Sequence, residues 1–176
     1  MTVDDVKALL RERGAQTIDH PGGTLYTHLV RVHDRLAAHG LPEPTALAGL
    51  SHAAYGTDGF DTALLTLDER DLLRAAASPA AEQLVHHYAA TLRRHTWRDL
   101  ARTRQLHNRF DGTVTVLTAA ELRPLVDLSI VNELDLCEQA PDVAARYGDY
   151  FRTLFASWTD LASPQVTADA RTVLRF

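Results

Sequence analysis

Apolar residues recur at three- and four-residue spacings along most of the chain, and that period predicts helices. Val3, Val6, Leu9 and Leu10 mark one stripe over residues 3–13, with Asp4 and Asp5 in the first turn and Gly14 just past the end. A linker, residues 15–23, contains His20-Pro21-Gly22-Gly23. Leu25, His28, Leu29, Val32 and Leu36 then share one face of a helix that opens near Thr24 and is stopped by Gly40. Pro42 and Pro44 start a third helix, residues 45–54, which is small or apolar on nearly every side and so predicts a buried segment. The glycines between Tyr55 and Phe60 predict a loop. Helices follow at 68–77 and 79–93, the latter with Ser78 as N-cap and Pro79 in its first turn.

Residues 94–117 are mixed. Residues 98–109 are compatible with helix, whereas Thr113 to Leu117 is β-like; one such run makes no sheet, which leaves an extended connector or a small hairpin edge. Thr118 and Glu121 form a capping box that starts a long helix to about Gln139. Two more helices are expected at 142–161 and 164–176. No repeat or linker divides residues 1–176, so the expected fold is a single-domain all-α bundle of about six to eight helices. Tyr150, Phe151, Leu154, Phe155 and Trp158 on the last helices fit either a core or a homodimer interface.

Composition adds exclusions. With 45% apolar and 23% charged residues the chain reads as an ordinary soluble protein, and a net charge of −5 offers no sequence-wide basic field for nucleic acid or an anionic membrane. The local basic run, Arg93, Arg94, His95, Arg98, Arg102 and Arg104, is expected to be a solvated helix face or a surface ion-pair network. The single Cys137 permits no intramolecular disulfide and is expected to be a small core residue. No signal-like segment opens the sequence, and no apolar run approaches the roughly 20 residues of a membrane span, so a cytoplasmic protein is expected.

The candidate chemistry centres on two histidines placed on apolar helical segments. His52 shares a face with Ala48 and Tyr55; at a helix C-terminus its protonated form gains from the dipole, which raises its pKa and suits acid chemistry. His28 lies among Leu25, Leu29 and Val32, while His33 and His39 fall on the outward face. Asp58 could be a base or could orient a histidine, as in a triad, with Tyr55 and Thr57 beside it on the same loop. The segment from His20 to Thr24 is either a turn with Thr24 as N-cap or a loop that turns backbone N–H groups and a helix N-terminus toward a pocket. Of His86 and His87 at most one can face inward, and Asn132 shares a stripe with Leu125, Leu128 and Leu136.

His28, followed by Ala48-Gly49-Leu50-Ser51-His52 at the end of the next helix, resembles the core of the HD superfamily of metal-dependent phosphohydrolases. The resemblance covers about residues 18–140. It implies a helical HD-like domain in which a first-helix histidine, a His-Asp pair and a late aspartate hold a divalent metal. Here Ala53 stands where the paired aspartate would be, and Asn132 stands at the late aspartate. The run from His20 through Phe60 is also similar to a group of HD-like domains from bacteria and plants with no established reaction.

Three functions follow. In the first, a metal-independent enzyme uses His52, His28 and Asp58 for acid–base elimination, cyclisation, isomerisation or hydrolysis of a small molecule bound by His20, Thr24, Tyr55, Thr57 and Asn132. In the second, His28, His52 and His86 hold zinc or iron for hydrolysis or oxygenation. In the third, the domain binds a ligand or partner without catalysis.

Overall fold

A computed structural model of the chain describes residues 2–176. The described residues form helices α1 (Val3–Glu12), α2 (Leu25–Ala38), α3 (Glu43–Ser51), α4 (Arg70–Ala76), α5 (Pro79–Ala90), α6 (Arg93–Thr96), α7 (Leu100–Thr103), α8 (Ala119–Gln139), α9 (Pro141–Ser157) and α10 (Pro164–Leu174). Eight of these have seven residues or more; α6 and α7 are single turns within the stretch whose sequence pattern was mixed. Two small antiparallel hairpins complete the fold: β1 (Asp19–His20) with β2 (Gly23–Thr24), and β3 (Gln105–His107) with β4 (Val114–Val116). The β-like run at 113–117 is therefore a hairpin edge, paired with residues that were compatible with helix.

The long helix α8 is the axis of the bundle. Residues 125–135 are buried without interruption, because α2, α3 and α5 cover it on one side and α9 and α10 on the other. Its buried polar residues must then find partners inside the protein. Asp127 does so by accepting hydrogen bonds from the Ser163 amide and hydroxyl, both at 2.7 Å, at the start of α10. Asn132, Glu133 and Asp135 turn toward α2 and α6, and they build the site described below.

Helices α2 and α3 pack closely. A Cβ added to Gly49 would stand 2.4 Å from Leu36 Cδ1, so glycine is what lets α3 approach α2 at this point. α2 carries His28, and His52 caps the end of α3. Phe151, Leu154, Phe155 and Trp158 are core residues, whereas Tyr147 and Tyr150 remain 41% and 39% exposed. No helix among the described residues is long and apolar enough to cross a membrane.

Candidate active site

A cavity of about 110 Å³ lies between α2, α3, α8 and the 57–60 loop. His20, His28, His52, Asn132 and Arg93 supply most of its polar wall. A larger surface depression of about 620 Å³, beside Arg98, Asp149 and Tyr150, is lined by no histidine and no buried charged group.

The two central imidazoles meet through their Nε2 atoms, 3.2 Å apart. His52 Nδ1 lies 2.8 Å from the Gly49 carbonyl oxygen, an acceptor only, so Nδ1 carries the hydrogen and Nε2 keeps its lone pair. His28 meets acceptors on both sides. Its Nδ1 is 2.6 Å from Asp135 Oδ2, and its Nε2 faces both His52 Nε2 and Asn132 Oδ1, the latter at 3.0 Å. The orientation of the Asn132 amide is set by its Nδ2, which donates to Glu133 Oε1 at 2.9 Å. His28 Nε2 therefore sits between the His52 nitrogen and the Asn132 amide oxygen, while its Nδ1 meets the Asp135 carboxylate. Burial first, and the facing charge of His28 second, hold the His52 pKa down to about 3. The helix-end dipole expected to raise it is outweighed, because an imidazolium there would lose its hydration and face a second cation.

Asp135 is the carboxylate behind His28. Arg31 clamps it from the other side, donating from Nε to Oδ1 (2.7 Å) and from Nη2 to Oδ2 (2.9 Å). Burial alone would raise the Asp135 pKa, but the hydrogen bonds from His28 and Arg31 overcome it and hold it at about 2. The same guanidinium donates to the Pro21 and Gly22 carbonyl oxygens, which ties the β1–β2 hairpin down over the site. His20 consequently stacks on His28 with ring centroids 4.1 Å apart, and Phe60 meets its edge at 5.5 Å. Burial, with the His28 charge behind it, lowers the His20 pKa to about 4.

Arg93 reaches the cavity from the N-terminus of α6. It donates to Glu133 Oε1 (2.9 Å) and to the Tyr88 hydroxyl (2.8 Å), and Tyr88 packs edge-on against His52. This residue of the basic run is not on a solvated face; it is an inner-wall cation.

The remaining expected site residues fall in different places. Thr57 and Asn132 line the cavity with the three histidines. Asp58 also lines it, but its Oδ2 accepts the Arg93 amide N–H at 2.8 Å, so it caps α6 and pins the loop rather than orienting a histidine. Thr24 lies outside the cavity wall as the N-cap of α2, exchanging hydrogen bonds with Thr27. Tyr55 points away: its hydroxyl donates to Glu82 Oε1 (3.0 Å), a buried carboxylate also held by Arg70 and Arg74. His86 is two residues before Tyr88, about 200° around α5, and packs on Phe110 instead of joining His28 and His52. His33 and His39 are only partly exposed and pair with Asp34 and Asp169.

Sequence reasoning missed Asp135, Arg93 and Glu133. Asp135 was detectable, because it follows Asn132 by three residues and Leu128 by seven on the buried face of α8. Nothing in the basic run distinguishes Arg93 from its neighbours.

The HD resemblance implies a divalent metal, and the donor set does not fit one. Two imidazole nitrogens and one amide oxygen converge, His20 lies flat on His28, Asp58 is engaged by an amide, and the Arg93 cation lines the same wall. Hard cations need carboxylate oxygens and zinc needs a third strong ligand. Among the described residues no three His, Cys, Asp or Glu side chains form such a group.

A family described as a domain of unknown function (DUF6817) has a model that matches residues 9–93, just under half of the chain. The match contains His20, His28, His52, Asp58 and Arg93 and leaves out α8. No curated protein and no solved structure matches the chain.

Proposed function

We propose that the cavity is the active site of a metal-independent acid–base enzyme acting on a small molecule. The observation that carries this reading is the pair of Nε2 atoms 3.2 Å apart, each held by an anchored Nδ1 on the far side of its ring. Here a carboxylate and a backbone carbonyl anchor both Nδ1 atoms, and both Nε2 atoms are left meeting each other at the cavity wall. His28 is the acid, with Asp135 anchoring its ring through Nδ1 and Arg31 holding Asp135. His52 Nε2 is the base, and it gains basicity as soon as His28 gives up its proton. Asn132 steadies the His28 hydrogen, while His20 and Phe60 cover the rings and exclude water.

Proton removal at one atom and delivery at another on the same molecule is isomerisation, elimination or ring closure; if the proton comes from a water molecule, it is hydrolysis. The test is incubation of small-molecule extracts with the protein in D₂O, followed by mass spectrometry for deuterium uptake or new products. Conversion by the wild type that is lost in both His28→Gln and His52→Gln is the expected result. Conversion that survives in both variants would refute the assignment, and retention of a compound without conversion would make the domain a binding module.

A further inference from the structure

The histidine cavity is not isolated. A second cleft of about 370 Å³ adjoins it, and the two share Gly59, Arg93 and Leu136 as walls. The far side of this outer cleft is aromatic. Trp97 contributes a buried ring, and α9 contributes Tyr147, Tyr150 and Phe151. Both tyrosines lean on Phe151, with centroids 6.1 and 5.6 Å away, and leave much of their surface open. At the neck, the Arg93 guanidinium carbon lies 4.6 Å from the centroid of the Trp97 ring. Arg94 lines the same cleft.

The two spaces differ in kind. The inner one is small and polar, with room for only a few heavy atoms beside His28 and His52. The outer one has the volume and the mixed aromatic and apolar lining of a small-molecule site. The half-exposed Tyr147 and Tyr150 rings, backed by Phe151, favour a flat aromatic body over a flexible chain, because they offer faces and edges for stacking. Arg94 on the cleft wall, beside an Arg93 already paired with Glu133, favours a negative group on the part that passes inward.

Resting on the catalytic reading of the inner cavity, we propose that the substrate is an aryl compound with a short acidic side arm. The aryl body lies against Tyr147 and Tyr150, and the arm passes Arg93 to reach His28 and His52. Specificity then resides in α9, and the proton chemistry resides in α2, α3 and α8.

The probe is 2-naphthylacetate, titrated into the full chain and followed by calorimetry and by the imidazole ¹H–¹³C spectra of His28 and His52. The comparators are cyclohexylacetate, which lacks the aromatic rings, and 2-naphthylethanol, which lacks the charge. Naphthylacetate is expected to bind at least about tenfold tighter than either and to shift both histidine signals. The double variant Tyr147→Ala/Tyr150→Ala is expected to keep the free-protein histidine spectrum and to lose about tenfold in affinity, as removal of two aromatic contacts implies. Equal affinity for the comparators, or binding unaffected by the tyrosine changes, would overturn the substrate class. Binding that leaves both histidine signals unmoved would overturn the continuity of the two spaces. Failure of the catalytic reading is separately visible, as conversion that survives loss of both histidines.

Discussion

Replacing Asp135 by asparagine probes the carboxylate behind His28 directly. Asp135 is 3% exposed and accepts one hydrogen bond from His28 and two from Arg31. The asparagine keeps the shape, but its Nδ2 must face a donor, either the His28 Nδ1–H or an Arg31 N–H. Loss of charge-assisted hydrogen bonds in a buried setting costs about 3 kcal/mol at pH 7, moderated because Arg31 can turn toward water. The pH dependence gives the sharper number. The folded carboxyl is held at about 2 against 3.8 in the open chain. A depressed carboxyl stabilises the fold above its unfolded pKa, and that stability is lost as pH falls through the folded one; the difference corresponds to about 2 kcal/mol. Urea unfolding of wild type and Asp135→Asn from pH 7 to pH 2 measures it. The gap between them should be level from pH 7 to pH 5, shrink by about 1 kcal/mol at pH 3 and by about 2 kcal/mol at pH 2. A gap independent of pH, or a variant as stable as the wild type at pH 7, would refute the role given to Asp135.

Other substitutions separate scaffold from site. Gly49→Ala drives a Cβ into the buried Leu36 side chain, whose tip must turn aside within the core, and should cost about 1–3 kcal/mol in urea unfolding. Glu82→Gln leaves Arg70, Arg74 and Tyr55 without their shared buried carboxylate; about 3 kcal/mol of stability should be lost with the histidine signals unchanged. In ¹⁵N spectra His52 should keep its Nδ1–H tautomer and an unprotonated Nε2 from pH 8 down to about pH 4, and its protonation near pH 6.5 would contradict the buried pair. Arg93→Met should loosen the 57–60 loop less than Asp58→Ala does, because the loop is held by the Arg93 amide and not by its side chain; backbone hydrogen exchange at Gly59 and Phe60 reads the difference.

The helices were legible because burial on one face imposes a period that any stretch of sequence displays. The capping box at Thr118 located the start of α8 to the residue, since Thr118 and Glu121 carry out the hydrogen bonding their types predict. The paired histidines were legible for a related reason: polar residues on apolar stripes need partners. Their partners were harder to see. Asp135 is over a hundred residues from His28, and no local pattern states which buried acid meets which imidazole. Tyr55 and Thr24 looked equally suited to a pocket, but each had a stronger claim nearby: a buried glutamate for one and a helix N-terminus for the other. The basic run misled because an arginine's environment depends on where its helix begins, and Asp58 places the start of α6 against the cavity.

Carboxylates at positions 53 and 132, which the HD resemblance implies, would change the chemistry of the cavity. A carboxylate at position 53 or 132 would place its charge on the cavity wall, where a cation would meet it. Those positions hold Ala53 and Asn132, and one turn beyond Asn132 Asp135 lies behind His28, on the side of the ring away from Nε2. The Asp135 charge thus orients an imidazole and does not face the cavity, and Arg93 stands on the wall paired with Glu133. Asp58, a carboxylate on the cavity wall, is engaged by the Arg93 amide, and this acts against a dication. A variant carrying Ala53→Asp and Asn132→Asp would put two further carboxylates on the wall. It should take up zinc or manganese where the wild type takes up little, as elemental analysis would record. Failure to bind either metal, with the helical signal intact, would mean that the backbone spacing rather than the charge pattern sets the chemistry of this cavity.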